Sequence, residues 1–215
     1  CVGDVIFDEF VYGETRRISR EAPVPILSET RRMAMLGGAG NLARNIASLG
    51  GAPVVVSVVG DDAAGEAVTA MIMEANAGAD GLVRTPGRAT PAKIRYVANN
   101  QQMLCVDRDP ECRIGSDAET ALIAAATARM GEADVLVLSD YGRGLMTPEV
   151  SGALIKAART AGVPVAVDPR GRDYARYDGA DVIKPNAAEL AEEASMAVHD
   201  DASADEAMRA VLARL

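Results

Sequence analysis

Four short apolar runs punctuate the chain: "PVVVSVVG" (53–60), "DVLVLSD" (134–140), "VPVAVD" (163–168) and "DVIKP" (181–185). Each is valine-rich and as short as a strand, so each predicts a strand buried on both faces. The intervening stretches carry a helical period. In "GAGNLARNIASLG", Ala39, Leu42, Ala43, Ile46 and Ala47 share one stripe. Ala64, Ala67, Val68, Met71 and Ile72 repeat it, and segments 117–131 and 148–161 follow. The last of these has a marked start, with Thr147 as N-cap, Pro148 at the first helical position and Glu149 in the first turn. Strands alternating with helices predict an α/β protein, its mostly parallel sheet flanked by helices on both faces.

Two stretches break this rhythm. Residues 10–36 are polar, proline-punctuated and strand-like, as in "PVPILSETRRMAML". Residues 92–108, within "AKIRYVANNQQMLCVDRD", read as two strands joined by a turn near Asn99 and Asn100. Together they predict a small β-sheet projecting from the main domain, the kind of insertion that serves as a lid. The whole of 1–215 reads as one domain. It opens at Cys1 inside an apolar run and closes on Leu215 within a helical pattern, as a piece of a longer chain would, incomplete at both ends.

Composition narrows the partners. With 2 Phe, 5 Tyr and no Trp, the core must be filled by Val, Ile, Leu, Ala and Met. A net charge of −9 excludes nucleic acid and anionic membrane as main partners, because phosphate neutralisation needs clustered Lys and Arg. An anionic substrate must then be held by a local site working against the global field. Cys1, Cys105 and Cys112 form no CxxC, and the single His199 completes no zinc site with them. They read as reduced thiols of a cytoplasmic protein. No apolar run approaches the ~20 residues of a membrane span.

Several motifs admit both a structural and a chemical reading. "LGGAGN" (36–41) puts paired glycines before a helix start, where amides can approach a ligand; it also fits a tight turn. Asn41 lies one turn from Asn45, opposite the apolar stripe. "VGDVIFDEF" reads as a strand ending in Asp4 and Asp8, and "LSDYGRGLMT" and "VDPRGRDY" place Asp140, Asp168 and Arg170 past strand ends, where open α/β sheets bind ligands. A divalent cation would let these carboxylates coexist with phosphate; each could equally cap its own loop. "KIRY" sets Lys93 and Arg95 on one face of a lid strand, suited to a phosphorylated substrate or simply solvated. In "DVIKPNAAEL", Asn186 and Glu189 have capping-box spacing, yet a first-turn Glu near a crevice can also hold Mg²⁺ through water.

Taken in order, these motifs resemble the ribokinase-like (PfkB) sugar kinases, and within them the branch acting on D-glycero-β-D-manno-heptose 7-phosphate. The matching stretches are "VGDVIFDEFVYGETRRISREAPVPI", "GGAGNLARNIASLG", "KIRYVANNQQMLCVD", "VLSDYGRG" and "VPVAVDPRGRDYARYDGADVIKPNAAE". "EAPVPI" and "NNQQ" belong to the heptose branch; the paired glycines and Asn-x-x-Glu are shared more widely. The resemblance implies a ribokinase fold with a β lid, a homodimer joined through the lids, and transfer of the ATP γ-phosphate to the heptose C1 hydroxyl for lipopolysaccharide-core and ADP-heptose synthesis. It implies that Asp8, Gly37, Gly38 and Asn41 hold sugar hydroxyls and that Asp140 lines the sugar pocket. Arg95 and Lys93 would reach from the lid to the substrate and its 7-phosphate. Asn186 and Glu189 would order water around Mg²⁺ and the ATP phosphates, with Asp168 and Arg170 on the same nucleotide side. The family's catalytic Asp sits in a Gly-x-Gly-Asp turn that residues 1–215 lack, so the base is expected beyond Leu215 and this stretch alone is expected to be inactive. The alternatives are another PfkB-type sugar or nucleoside kinase, or a non-catalytic sugar-phosphate-binding protein.

Overall fold

The computed structural model describes residues 1–110 and 113–215. In chain order the first half runs β1 (Val2–Gly3), β2 (Val5–Ile18), β3 (Pro25–Gly38), α1 (Ala39–Ser48), β4 (Val54–Gly60), α2 (Ala63–Glu74) and β5 (Gly78–Thr85). The second runs β6 (Ala92–Ala98), β7 (Gln101–Arg108), α3 (Ser116–Arg129), β8 (Leu136–Ser139), α4 (Pro148–Ala161), β9 (Val165–Asp168), β10 (Val182–Ile183), α5 (Ala187–Ala194) and α6 (Asp201–Leu212). The central sheet is parallel throughout, in the order β10-β9-β8-β1-β4-β5. This is the expected α/β architecture.

Strand β4 shows why its sequence has no polar face. Val56 and Val58 enter a core formed with α3 and α4, while Val55 and Val59 enter a second core with Ala39, Ala43, Val68 and Ile72 of α1 and α2. The expected two-sided burial does not extend across the whole sheet. On β8, β9 and β10, Val137 and Ala166 are only half-buried and Val182 is exposed. The helices start as their local chemistry directs. Thr147 Oγ1 accepts from the amide of Val150 at 3.2 Å, and α4 stops at Gly162 with φ 72°. The helix expected over 117–131 ends at Arg129 and tightens into a 3₁₀ turn over Met130–Glu132.

The second sheet, β3-β2-β6-β7, is the lid. It joins two antiparallel hairpins through a parallel β2–β6 pairing. Asn99 and Asn100 turn the second hairpin with φ 50° and 63°, the left-handed pair that a two-residue loop needs. The lid starts earlier than expected, at Val5 instead of residue 10. The run "VGDVIFDEF" is two strands, not one, because the chain leaves the central sheet at Asp4. Val5 and Ile6 then stay buried as the foot of the lid, Val5 packing with Leu36 of β3 and Ala39 of α1. Asp8 therefore lies on a lid strand and not past the end of a central one. All four crossings between lid and body, at Val5, Gly38, Ala92 and Arg108, are gathered at one end of the lid sheet, where Val5 pairs with Gly38 and Ala92 with both Phe7 and Arg108.

Cys1 and Cys105 are free thiols, and Cys112 lies outside the described residues. Among the described residues, no helix is long and apolar enough to cross a membrane.

Candidate active site

The carboxyl ends of β1, β8 and β9 meet the foot of the lid, and Asp4 is their junction. Its carbonyl accepts from the amide of Ala39 at 2.9 Å, joining β1 to the first residue of α1. Its carboxylate accepts from the amides of Tyr141 at 2.9 Å and Arg143 at 3.2 Å, joining β1 to the loop after β8. The side chain is buried, and burial raises its pKa from 3.8 to about 6, against the pull of the two amides. The neighbouring Asp140 adds repulsion and Arg88 opposes it.

Gly38 fits this junction as no other residue does. Its φ is +58°, and a Cβ there would lie 2.1 Å from the Asp4 carbonyl oxygen. Gly37 is less constrained, a Cβ meeting the side chain of Ile6 at 3.1 Å. With glycine as its N-cap, α1 receives no side-chain capping bond, so the first-turn amides beyond Ala39 stay available to a ligand. Asn41 lies in that turn, its Oδ1 accepting from Arg44 at 2.8 Å.

The loop after β8 is held from both sides. Asp140 is buried and turned inward, accepting from the Tyr177 hydroxyl at 2.6 Å and the Gly142 amide at 2.7 Å, with Arg176 at 3.6 Å. Burial and the adjacent Asp140 charge push the Tyr177 hydroxyl far above its usual range, so it remains a donor. Tyr177 and Arg176 belong to a 3₁₀ turn after β9 and were not anticipated; the only hint is a pair of tyrosines three apart in "DYARY".

On the lid, Asp8 is ion-paired to Arg95, whose guanidinium also lies 4.9 Å from the Phe10 ring centroid. Lys93 pairs with Asp107 at 2.7 Å. Neither cation projects unpaired toward the cleft.

The residues expected on the nucleotide side form two ion pairs, each with an exposed cation and a half-buried acid. Asp168 meets Lys184 at 3.3 Å and Arg170 meets Glu189 at 3.5 Å. The capping box at α5 is complete, Asn186 Oδ1 accepting from the Glu189 amide and Glu189 Oε2 from the Asn186 amide, both at 2.9 Å. Glu189 Oε1 lies 3.5 Å from Arg170; released from that pair, the carboxylate could hold a cation through water. Among the described residues, no three His, Cys, Asp or Glu side chains gather as a metal site. Asp4, Asp140 and Asp168 are each answered by a protein partner.

A cavity of ≈ 360 Å³ brings the two sides together, lined by Gly38, Asn41, Asn45, Tyr141, Asp168 and Lys184 among others. Tyr141 and Lys184 were not anticipated there. A larger cavity of ≈ 470 Å³ lies at the amino ends of the strands, beside Cys1, Val54 and Leu136. It is mainly apolar and far from these groups, so we place the site at the carboxyl ends.

Comparison with known proteins agrees with this geometry. The pfkB family carbohydrate kinases match over residues 1–214. The bifunctional protein HldE of Caulobacter vibrioides is 50% identical over 213 residues, covering 99% of this chain and 43% of that protein. HldE of Gluconacetobacter diazotrophicus is 45% identical over 214 residues, covering 100% of this chain and 44% of its own length. The chain thus spans less than half the length of these relatives. Arabidopsis thaliana ribokinase, solved with ribose and ATP, shares the fold with a TM-score of 0.72 at 18% identity, covering 99% of this chain and 67% of that one. Escherichia coli phosphofructokinase-2 in its tetrameric inhibited form gives 0.73 at 19%, covering 99% and 70%. A family match along nearly the whole chain, on a fold with this parallel sheet and lid, makes the chain a member of the pfkB family of carbohydrate kinases.

Proposed function

We propose that the full-length protein transfers the γ-phosphate of ATP to the C1 hydroxyl of D-glycero-β-D-manno-heptose 7-phosphate, on the route to ADP-heptose. Family membership supports sugar phosphorylation, and the "EAPVPI" and "NNQQ" stretches support the heptose branch. The observation that carries the reading is the cavity shared by Gly38 and Asn41 on one side and Asp168 and Lys184 on the other. Gly37 and Gly38 at the end of β3, with Asn41 and Asp8, would hold sugar hydroxyls, and Asp140 would fix the pocket from beneath. Asn186, Glu189, Asp168 and Arg170 would line the ATP phosphates. Mg²⁺ would be held by Glu189 through water and would neutralise charge on the transferring phosphoryl group. Positioning the hydroxyl is the task of the residues described. We assign its proton acceptor to a Gly-x-Gly-Asp turn, which residues 1–215 do not contain. A cytoplasmic homodimer fits this reading, and exposed Met33, Met103 and Leu104 on the outer lid strands suit pairing of two lids.

Steady-state rates of the full-length protein with heptose 7-phosphate, ribose, fructose and a nucleoside test the substrate. The expected kcat/KM for heptose 7-phosphate exceeds the others by roughly 100-fold or more, the scale set by unpaired polar groups in a mismatched site. A preference for an unphosphorylated sugar would overturn the assignment.

A further inference from the structure

We infer that the phosphate of the sugar-phosphate substrate is held by a guanidinium pocket at the foot of the lid, formed by Arg113, Arg143 and Arg176, and not by the lid strand. This rests on the kinase reading above and deepens it. The two cations of lid strand β6 are each held by an acid, Arg95 by Asp8 and Lys93 by Asp107. The pocket differs. A cavity of ≈ 350 Å³ opens between the loop after β8, the start of α4 and the exit of β7, and the three arginines line it. The acid in its wall, Asp140, is bonded by Tyr177 and the Gly142 amide and lies 3.6 Å from Arg176. Arg113 is exposed and has no ion pair among the described residues. In a chain of net charge −9, three guanidiniums around one hollow are a local concentration of positive charge.

Arg143 is the best placed of the three. Its amide is held by Asp4 at 3.2 Å and its carbonyl accepts from Arg88 at 2.7 Å, so its backbone is fixed at the junction that also holds Gly38. Its guanidinium pairs with Asp109, a half-exposed acid just past β7, while its Nε is buried without a hydrogen-bond partner. Arg176 likewise keeps a buried, unpartnered Nε. A phosphate carries more charge than one carboxylate and suits the planar fork of a guanidinium, so it competes well with Asp109 for Arg143. The substrate's chemistry asks for such a site. C1 and the 7-phosphate are at opposite ends of the heptose, so a hydroxyl reacting beside Asn186 and Glu189 needs its phosphate held elsewhere. Because Asp109 follows directly from β7, engaging the phosphate here also couples substrate arrival to the lid.

The test compares full-length wild type, Arg143→Gln and Arg113→Gln, the last an exposed change that leaves folding intact. With heptose 7-phosphate, Arg143→Gln should raise KM roughly tenfold or more, and Arg113→Gln roughly threefold, while KM for ATP and for unphosphorylated heptose stays within about twofold. Equal increases for the phosphorylated and unphosphorylated sugars, or unchanged KM in both variants, would overturn the inference. Calorimetry with inorganic phosphate reads the pocket without turnover. Binding by wild type that weakens in both variants supports the pocket even if heptose 7-phosphate is not turned over, a result that would sink only the kinase reading. Absent binding, or equal binding by all three, overturns the pocket whatever the turnover.

Discussion

The two walls of the cleft are built on different principles. The sugar wall is backbone held by buried groups: Gly38 against the Asp4 carbonyl, the amides of Tyr141 and Arg143 on the Asp4 carboxylate, Asp140 under Tyr177. The nucleotide wall is side chains in ion pairs, Asp168 with Lys184 and Arg170 with Glu189. Each pair has an exposed cation free to swing away, so a nucleotide can displace these pairs more cheaply than it could the buried contacts of the other wall. The buried wall cannot be rearranged so cheaply. On the proposed function, the sugar side would be formed before its ligand arrives, and the phosphate side would take shape around its ligand.

The largest expected effect is at Gly38. Gly38→Ala forces a left-handed residue and a 2.1 Å approach to a carbonyl, and should cost about 3 kcal/mol or more. Sugar binding should be lost even where the chain still folds. Urea denaturation with the sugar-phosphate KM reads both; wild-type values in each would show the sugar wall to be pliable.

Next comes Asp4, whose folded pKa of about 6 lies above its ordinary 3.8. The sign follows directly: its favourable contribution is complete below about pH 4 and is lost as pH rises through 6, a swing of about 3 kcal/mol. Asp4→Asn removes this titration, so the stability difference between variant and wild type should move in the variant's favour by about that amount from pH 4 to 7. Denaturation midpoints across that range check it; a pH-independent difference would mean that the Asp4 charge is not resisted by its surroundings.

The smallest effect on stability belongs to the other wall. Glu189→Gln preserves the capping box, since Gln also reaches the N-cap amide, and should alter stability by less than about 0.5 kcal/mol. Phosphoryl transfer by the full-length protein should nevertheless fall by roughly tenfold or more, because the charge facing Mg²⁺ is gone. Unchanged turnover at saturating Mg²⁺ would reduce Glu189 to a cap.

What could be read from sequence follows the same division. The capping box at Asn186 and the Thr147–Pro148 start are local chemistry, complete within four residues, and both formed as expected. Two-sided burial of β4 was legible because every position but Ser57 is apolar or glycine. Strand β5 was missed: "GADGLVRT" has no clean alternation, since an edge strand is only partly buried. The break at Asp4 was hidden because the apolar run continues through Val5, Ile6 and Phe7, which serve the lid's foot as well as they would serve the sheet. Tyr177 under Asp140 depends on a turn 37 residues away, and nothing local announces it.

Because all four chain crossings between lid and body lie at one end, the lid is mechanically a lever. Strands β2 and β3 each run 14 residues, roughly 45 Å at about 3.3 Å per residue. A rotation of about 5° at the foot would carry the far turn, near Ile18 and Pro25, through roughly 4 Å while moving Asp8 by less than about 1 Å. A displacement too small to disturb the sugar contacts would thus be magnified at the tip, the natural place for a spectroscopic label to report that the site has closed.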